Sequence, residues 1–142
     1  MQRILALDVG SVRVGVAISD PLGMTAQPIE VIDRRRVDPF VRTAELVREH
    51  GVARIVVGRP LRLDGSTGPA VAAVDEFIAT LAAHVEVPIE PWDERLSTAQ
   101  AQRDMIHAGV RRAKRRESID KVAAALILQS YLDAAAPRPH ET

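Results

Sequence analysis

The sequence predicts an α/β fold with a five-stranded mixed sheet, in which a three-strand antiparallel meander is followed by two parallel strands, flanked by helices. Short, nearly continuous apolar runs, typical of buried strands, occur at residues 4–9, 14–18 and 52–57. Only a short turn separates the first two runs, which favours a hairpin. From residue 38 onward, strand patterns alternate with helical patterns, which is typical of parallel crossover units.

The first three strands are predicted from apolar runs and turn residues. Gly10 and Ser11 supply turn chemistry after residues 4–9, so the run at residues 14–18 should pair antiparallel with the first. Residues 28–32 begin with proline and roughly alternate between apolar and polar side chains, which favours an edge strand.

The first helix has clear start and stop residues. Asp38 can cap it, Pro39 occupies the first helical position, and Gly51 ends it. Residues 52–57 then form a buried strand. Gly58 is predicted to break this strand and to open a loop that runs through Ser66.

The remaining elements are two helical segments, a strand between them, and a last helix. Thr67 and Pro69 should start the second helix, and residues 87–92 should form the fifth strand. A capping box at residues 97–100 predicts a third helix that Gly109 ends. Ser118 should cap a last, buried helix that runs to about residue 135.

Composition limits the classes of protein to which the chain can belong. Its 142 residues, 46% hydrophobic and 27% charged, fit one globular domain over residues 1–135 with a disordered tail at 136–142. There is no cysteine, which excludes thiolate metal sites and cysteine nucleophiles. The longest apolar run has seven residues, too few for a membrane helix, so a cytoplasmic location is expected. With 3% aromatic residues, base-stacking folds are disfavoured.

Acidic residues stand at three positions where a role in chemistry can be considered. Asp8 interrupts an apolar strand, Asp93 and Glu94 follow the fifth strand, and Asp120 shares a helical face with small and apolar residues. Each has a plain alternative explanation, namely a turn, a solvated loop or a favourable helix N-terminus. If the three positions converge, their oxygens would suit Mg²⁺ or Mn²⁺, and such ions support phosphodiester cleavage.

Four segments of the chain together resemble the YqgF/RuvX family, and the match runs from about residue 3 to residue 133. They are residues 8–20, residues 58–61 with 64–66, residues 93–98, and residues 119–129. The family is similar to Holliday-junction resolvases of the RuvC type, has an RNase H-like fold, and is described as a nuclease that processes the 5′ end of pre-16S rRNA. The resemblance implies a metal-dependent phosphodiesterase.

The same resemblance implies which residues carry catalysis and hold the metal: Asp8, Glu94 and Asp120. Asp93 could replace Glu94, because neighbouring positions on one strand face opposite ways. Glu94 is preferred for its longer reach. RuvC-type enzymes carry a fourth acid near the last one, and Glu117 is the only nearby candidate here.

Substrate contacts are predicted in the matched segments and in a basic stretch. Glycines, a hydroxyl, Arg59 and Arg62 at residues 58–66 suit phosphate contact, although a plain connection is the alternative. Residues 103–121 carry seven basic against three acidic side chains and could guide a phosphate backbone. The predicted contacts are Arg13, Arg59, Asp64, Gly65, Ser66, Arg95, Ser97, Arg112, Lys114 and Arg115. Three arginines at residues 34–36 form a second basic cluster, which indicates substrate contact less clearly. Trp92 is interpreted as a core residue.

Three functions are compatible with this pattern. The first is a nuclease that acts on structured RNA, such as pre-rRNA, or on branched DNA, as a monomer or homodimer. The second is a nucleic-acid-binding module without catalysis, in which the acids are structural. The third follows from a resemblance of residues 8–20 to the phosphate loop of the actin, heat-shock chaperone and sugar-kinase group, although those proteins clamp ATP between two such domains.

Overall fold

The computed structural model describes residues 2–61, 64–94 and 113–135, and for residues 113–121 it describes the helical backbone only. Five strands form one sheet of order β3-β2-β1-β4-β5. β1 pairs antiparallel with β2, which pairs antiparallel with β3, whereas the β1–β4 and β4–β5 pairs are parallel. The predicted mixed sheet is therefore confirmed. The elements are β1 (Arg3–Val9), β2 (Arg13–Ser19), β3 (Ala26–Asp33), α1 (Pro39–His50), β4 (Val52–Arg59), α2 (Pro69–Leu81), β5 (Ile89–Asp93) and α3 (Ala113–Ala135).

The β1–β2 turn depends on Gly10 for a steric reason. The Gly10 amide donates a hydrogen bond of 2.8 Å to the Arg13 carbonyl oxygen, which closes the turn. A Cβ atom at Gly10 would lie only 2.7 Å from that same oxygen. Any larger residue would therefore push the two strands apart just beyond Asp8.

β3 is an edge strand, as its proline and its alternation predict. Val16 pairs with Glu30 and Ala17 pairs with Pro28, so Ile29 is an extra residue that forms a bulge. Pro28, which lacks an amide donor, is tolerated at such an edge. The Arg42 guanidinium of α1 donates to both carboxylate oxygens of Glu30, at 2.8 and 2.9 Å, and fastens α1 over this edge.

The helix start and stop signals at α1 are confirmed. Asp38 Oδ1 accepts hydrogen bonds from the amides of Phe40 and Val41, at 2.8 and 3.2 Å. Gly51 adopts a left-handed conformation with φ of 62° and donates to the carbonyl of Val47. A glycine suits this position because a Cβ atom is unfavourable there.

Two hydrophobic layers lie on opposite faces of the sheet. On one face, α1 and α2 cover the larger layer, which includes Leu5, Leu7, Val57 and Phe77. On the other face, α3 covers a smaller layer that includes Ala6. None of the helices in the described part of the chain has the length and apolar character of a membrane-spanning segment.

Gln129 fastens α3 to the start of β3. Its side-chain oxygen accepts from the Ala26 amide at 3.0 Å, and its nitrogen donates to the Met24 carbonyl at 3.0 Å. The side chain thereby satisfies two backbone groups at the edge of the sheet, which fixes the helix along the sheet.

The first three strands are each one to three residues longer than predicted, and the boundaries of β4, β5 and α3 also differ from the prediction. β4 continues through Gly58 to Arg59, because both residues pair with β5. β5 begins at Ile89, two residues later than expected. α3 begins at Ala113 rather than after Ser118, so Ser118 lies within the helix and does not cap it. The third helix predicted at residues 97–109 and the tail at 136–142 lie outside the described residues.

Candidate active site

Asp8 and Glu94 are both buried at the end of the sheet where β1, β4 and β5 finish, which we call the carboxyl end. Asp8 is 6% exposed and Glu94, directly after β5, is 2% exposed. Side chains alternate along a strand, so Asp8 points to the same face as Ala6, which is the face that α3 covers. Burying a carboxylate is unfavourable unless a nearby charge or hydrogen bond compensates it.

Gly58 is the residue against which Glu94 packs. A Cβ atom built at Gly58 would lie 3.0 Å from both Cγ and Oε1 of Glu94, and 2.6 Å from Cδ1 of Ile127. Ile127 belongs to the α3 layer, so Glu94 lies on the α3 face of the sheet. Leu7 pairs with Val57, which makes Asp8 and Gly58 the next residues on their two strands. Asp8 and Glu94 therefore face the same layer on either side of Gly58.

Asp93 lies on the other face. It pairs in register with Arg59, and its charge contributes to the raised pKa of the Arg59 guanidinium. Asp75 of α2 is the main cause of that raised pKa, because it accepts two hydrogen bonds of 3.0 Å from Arg59. The two neighbouring acids thus point to different faces, and only Glu94 faces the same layer as Asp8.

Asp120 lies in α3, and only its backbone is described. It precedes Ala123 and Ala124 by three and four residues, and both alanines are fully buried against the sheet. Helical periodicity therefore places position 120 in line with positions that face the sheet. Glu117 is also within this helix, and its side chain is not described either.

Two glycines flank Asp8, and sequence reasoning missed their importance. Gly15 pairs directly with Asp8 on β2, and Gly58 is beside it on β4. Neither carries a side chain, and above Gly58 the place of a side chain is taken by Glu94 and Ile127. A glycine inside a strand often marks a close approach by another group. That rule could have identified Gly58, had the strand been predicted to continue through it.

The predicted substrate contacts are only partly described. Arg13 is the first residue of β2, opposite Asp33 in register. Arg59 directs its guanidinium to Asp75, as given above. Asp64 Oδ1 accepts from the Ser66 amide at 2.9 Å, and Gly65 between them has a positive φ of 87°. These three residues thus form a self-supporting turn before α2. Outside the described side chains are Arg62, Arg95, Ser97, Arg112, Lys114 and Arg115.

Trp92 belongs to the packing beneath the site, in line with the interpretation from the sequence. Its indole nitrogen donates to Ser130 Oγ at 3.2 Å, and its ring meets Tyr131 edge-on with centroids 5.2 Å apart. Both partners are on α3. Trp92 thus fixes β5, and with it Glu94, against that helix.

The residues present fit a divalent cation in part. Two buried carboxylates on one face supply the hard oxygen ligands that Mg²⁺ and Mn²⁺ prefer, and Gly58 leaves room for the Glu94 carboxylate to fold inward. Among the described residues, no group of three or more histidines or acids could hold a metal ion. The third acid of the predicted set, Asp120, has its side chain outside those residues.

Comparison with solved structures supports the fold. RuvC of T. thermophilus, solved with a Holliday junction substrate, matches with a TM-score of 0.57 and 18% identity, over 94% of this chain and 95% of RuvC. The Holliday junction resolvase of fowlpox virus matches with a TM-score of 0.50 and 14% identity, over 94% and 99% of the two chains. The predicted RNase H-like architecture is therefore confirmed.

Relatives in sequence are much closer. A protein of Symbiobacterium thermophilum named "Putative pre-16S rRNA nuclease" is 51% identical over 141 residues, which cover 99% of this chain and 98% of the relative. A protein of the same name from Listeria monocytogenes is 48% identical over 134 residues, which cover 92% and 97%. The RuvX family, described as Holliday junction resolvase, matches residues 2–134. The chain therefore belongs to the RuvX family.

Proposed function

We propose that this protein is a metal-dependent nuclease that hydrolyses phosphodiester bonds and processes the 5′ end of pre-16S rRNA. The observation that supports this most is the burial of Asp8 and Glu94 on one face, at the end of the sheet where their strands finish. Open α/β sheets place their ligand crevices at this end. Relatives that share about half of the sequence carry the corresponding name.

Asp8 and Glu94 would hold the cation, and Asp120 is proposed as the third ligand. A divalent cation supplies charge neutralisation at the phosphate and an activated water. The chain contributes fixed ligand positions. Asp8 is fixed within a paired strand, beside the Gly10 turn, and Glu94 is enclosed by Gly58 and Ile127. Such fixed carboxylates need little rearrangement when substrate binds, which favours catalysis.

Water is kept from the back of the site by the α3 layer. Ala124, Ile127 and Leu128 are completely buried beside the strands that carry the two acids. We therefore expect a phosphate to approach from the carboxyl end of the sheet, where open α/β sheets place their ligand crevices. Substrate contacts are proposed there from Arg13, Asp64, Gly65 and Ser66, and from the basic stretch at residues 103–121. Arg59 is proposed to contact phosphate only after it leaves Asp75.

Holliday junction resolution is the second candidate, because the family description names that activity. RNA and DNA present the same phosphodiester, so carboxylates and metal alone do not choose between them. The 2′-hydroxyl is the group by which a protein distinguishes RNA. A single rRNA end needs one site, whereas resolving a symmetric four-way junction requires two sites related by a two-fold axis. We therefore expect the protein to cleave rRNA as a monomer.

One experiment compares the two substrates directly. Precursor 16S rRNA and a four-way DNA junction are incubated side by side with Mg²⁺, Mn²⁺ or EDTA. We expect cleavage near the mature 5′ end of the RNA, which requires a metal, and little cleavage of the junction. Asp8→Asn should abolish cleavage while RNA binding persists, since the substitution removes a charge and keeps the shape.

Each of the following results would overturn the proposal. Cleavage that persists in EDTA would exclude the metal-dependent mechanism. Full activity of the Asp8→Asn variant would mean that the buried acid is structural and does not hold a catalytic metal, whereas binding of the RNA without cleavage under any condition would favour the binding-module alternative. Preferential cutting of the junction, together with a dimer in solution, would favour the resolvase instead.

A further inference from the structure

The arginine triplet at residues 34–36 has no role in the proposed chemistry, yet it lies at the carboxyl end of the sheet. Arg34 directly follows β3, and its amide donates to the Val12 carbonyl in the β1–β2 turn at 2.8 Å. The three side chains behave differently. Arg34 is half-buried, whereas the side chains of Arg35 and Arg36 are 68% and 84% exposed.

Arg34 anchors this segment to the turn that follows Asp8. Its guanidinium donates to the Gly10 carbonyl at 2.7 Å, and its Cζ lies 5.4 Å from the centre of the buried Phe77 ring. A cation above an aromatic ring is attracted to the negative face of that ring. Because Gly10 is two residues from Asp8, this anchor holds the end of β3 in a fixed position relative to the site.

Among the described side chains, Arg35 and Arg36 both lie next to one acid, Asp33. Asp33 accepts two hydrogen bonds of 3.0 Å from Arg35, and one of its oxygens is 3.9 Å from Arg36. Arg13 lies opposite Asp33 in register and adds a further positive charge. Most of the Arg35 and Arg36 side chains remains exposed, and an exposed guanidinium group suits contact with phosphate.

Sheet geometry gives the distance between this charge and the site. Asp8 pairs with Gly15, two residues along β2 from Arg13, and Arg13 pairs with Asp33. With strands about 4.8 Å apart and about 3.3 Å per residue, Asp33 is roughly 12 Å from Asp8. At about 3.4 Å of rise per nucleotide of one strand, this span corresponds to roughly three or four nucleotides.

We propose that Arg35 and Arg36, which we call the arginine edge, contact the phosphate backbone of the nucleic acid about three or four nucleotides from the bond that is cut. This inference rests on the proposed function, because it assigns a further contact surface to the same substrate. The arginine edge lies beyond β2 and β3, away from the loop at residues 64–66 that follows β4. The substrate would therefore be held on two sides of the site, by the loop at residues 64–66 and by the arginine edge.

Binding of RNA to the Asp8→Asn variant, measured over a range of salt concentrations, tests this surface without cleavage. In that background, Arg36→Gln should weaken binding roughly fivefold to tenfold near 0.1 M salt and reduce the slope of log K against log salt by about 0.7–0.9. The double variant with Arg35→Gln and Arg36→Gln should reduce this slope by about twice as much. The matched control is Arg48→Gln, an exposed arginine in the last turn of α1, at the opposite end of the sheet.

The result that would overturn the inference is an Arg36→Gln variant with the same affinity and the same salt slope as the Arg48→Gln variant. Cleavage by the otherwise wild-type chain is measured in parallel, so that the two proposals can fail separately. If the RNA is not cleaved but its binding still depends on Arg36, the proposed nuclease function is contradicted and the proposed contact at the arginine edge is supported. Normal cleavage with no effect of Arg36 would contradict the arginine edge alone.

Discussion

Replacing Gly58 by alanine tests how the chain positions Glu94. The added Cβ atom would lie 2.6 Å from Ile127 Cδ1, where an ordinary carbon contact is about 3.5–4.0 Å. It would also lie 3.0 Å from Glu94 Oε1. Since Ile127 is held between α3 and the sheet, we expect Glu94 and β4 to shift by about 1 Å, a displacement that can lower a catalytic rate about 100-fold.

The same clash should lower stability. Overpacking a core by one methyl group costs about 1–3 kcal/mol, and each kcal/mol lowers the melting temperature of a domain of this size by about 4 °C. Thermal unfolding of the Gly58→Ala variant should therefore show a decrease of about 4–12 °C. Metal-dependent cleavage of precursor rRNA is measured on the same preparation.

Ile127→Val provides the matched control, because it removes the Cδ1 atom that the new methyl group meets. Alone it should cost about 0.5–1.5 kcal/mol. In the Gly58→Ala background, Ile127→Val should lower the free energy of unfolding by less than it does alone, or should raise it. Cleavage should stay low, because the new methyl group still crowds Glu94. A Gly58→Ala variant with unchanged melting temperature and unchanged cleavage would mean that Glu94 does not depend on the missing side chain at Gly58 for its position.

Two further predictions concern stability away from the site. Gln129→Ala leaves the Ala26 amide and the Met24 carbonyl without this partner, so the free energy of unfolding in urea should fall by about 1–3 kcal/mol; an unchanged value would mean that water replaces the side chain. Hydrogen bonds from Arg35 lower the pKa of Asp33 from 3.8 to about 2, so its contribution is fully present above pH 4 and is lost as the pH falls towards 2. In Asp33→Asn, the free energy of unfolding should therefore depend less on pH between about pH 4 and pH 2. An unchanged pH dependence in this range would mean that the Arg35–Asp33 pair does not contribute to stability.

The sheet was predictable because its strands are short apolar runs and its turns contain glycine or proline. The end of β4 was not, because Gly58 was interpreted as a breaker, whereas it is the position at which a strand passes beneath another side chain. Propensity rules count glycine against a strand and do not register what packs above it. The start of α3 was placed at Ser118 because serine is a good cap, but the helical backbone begins at Ala113.

The choice between Asp93 and Glu94 shows what a single sequence leaves open. Alternation along a strand states that the two acids face different ways, but it does not state which one faces Asp8. That depends on the pairing register of three strands, which places Val57 beside Leu7 and Asp93 beside Arg59. Arg59 was likewise predicted from its loop position as a phosphate contact, and only tertiary structure reveals Asp75 as its partner.

The proposed pairing of Asp8 and Glu94 in one metal site excludes Asp93, which lies on the other face of the sheet. Its most direct test is the rate of Mg²⁺-dependent cleavage of precursor rRNA by Glu94→Gln and by Asp93→Asn, two neighbouring substitutions that each remove one charge. We expect Glu94→Gln to lose at least 100-fold in rate, and Asp93→Asn to remain within a few-fold of the original chain. A large loss of rate in Asp93→Asn with near-normal cleavage by Glu94→Gln would mean that Asp93, and not Glu94, acts with Asp8.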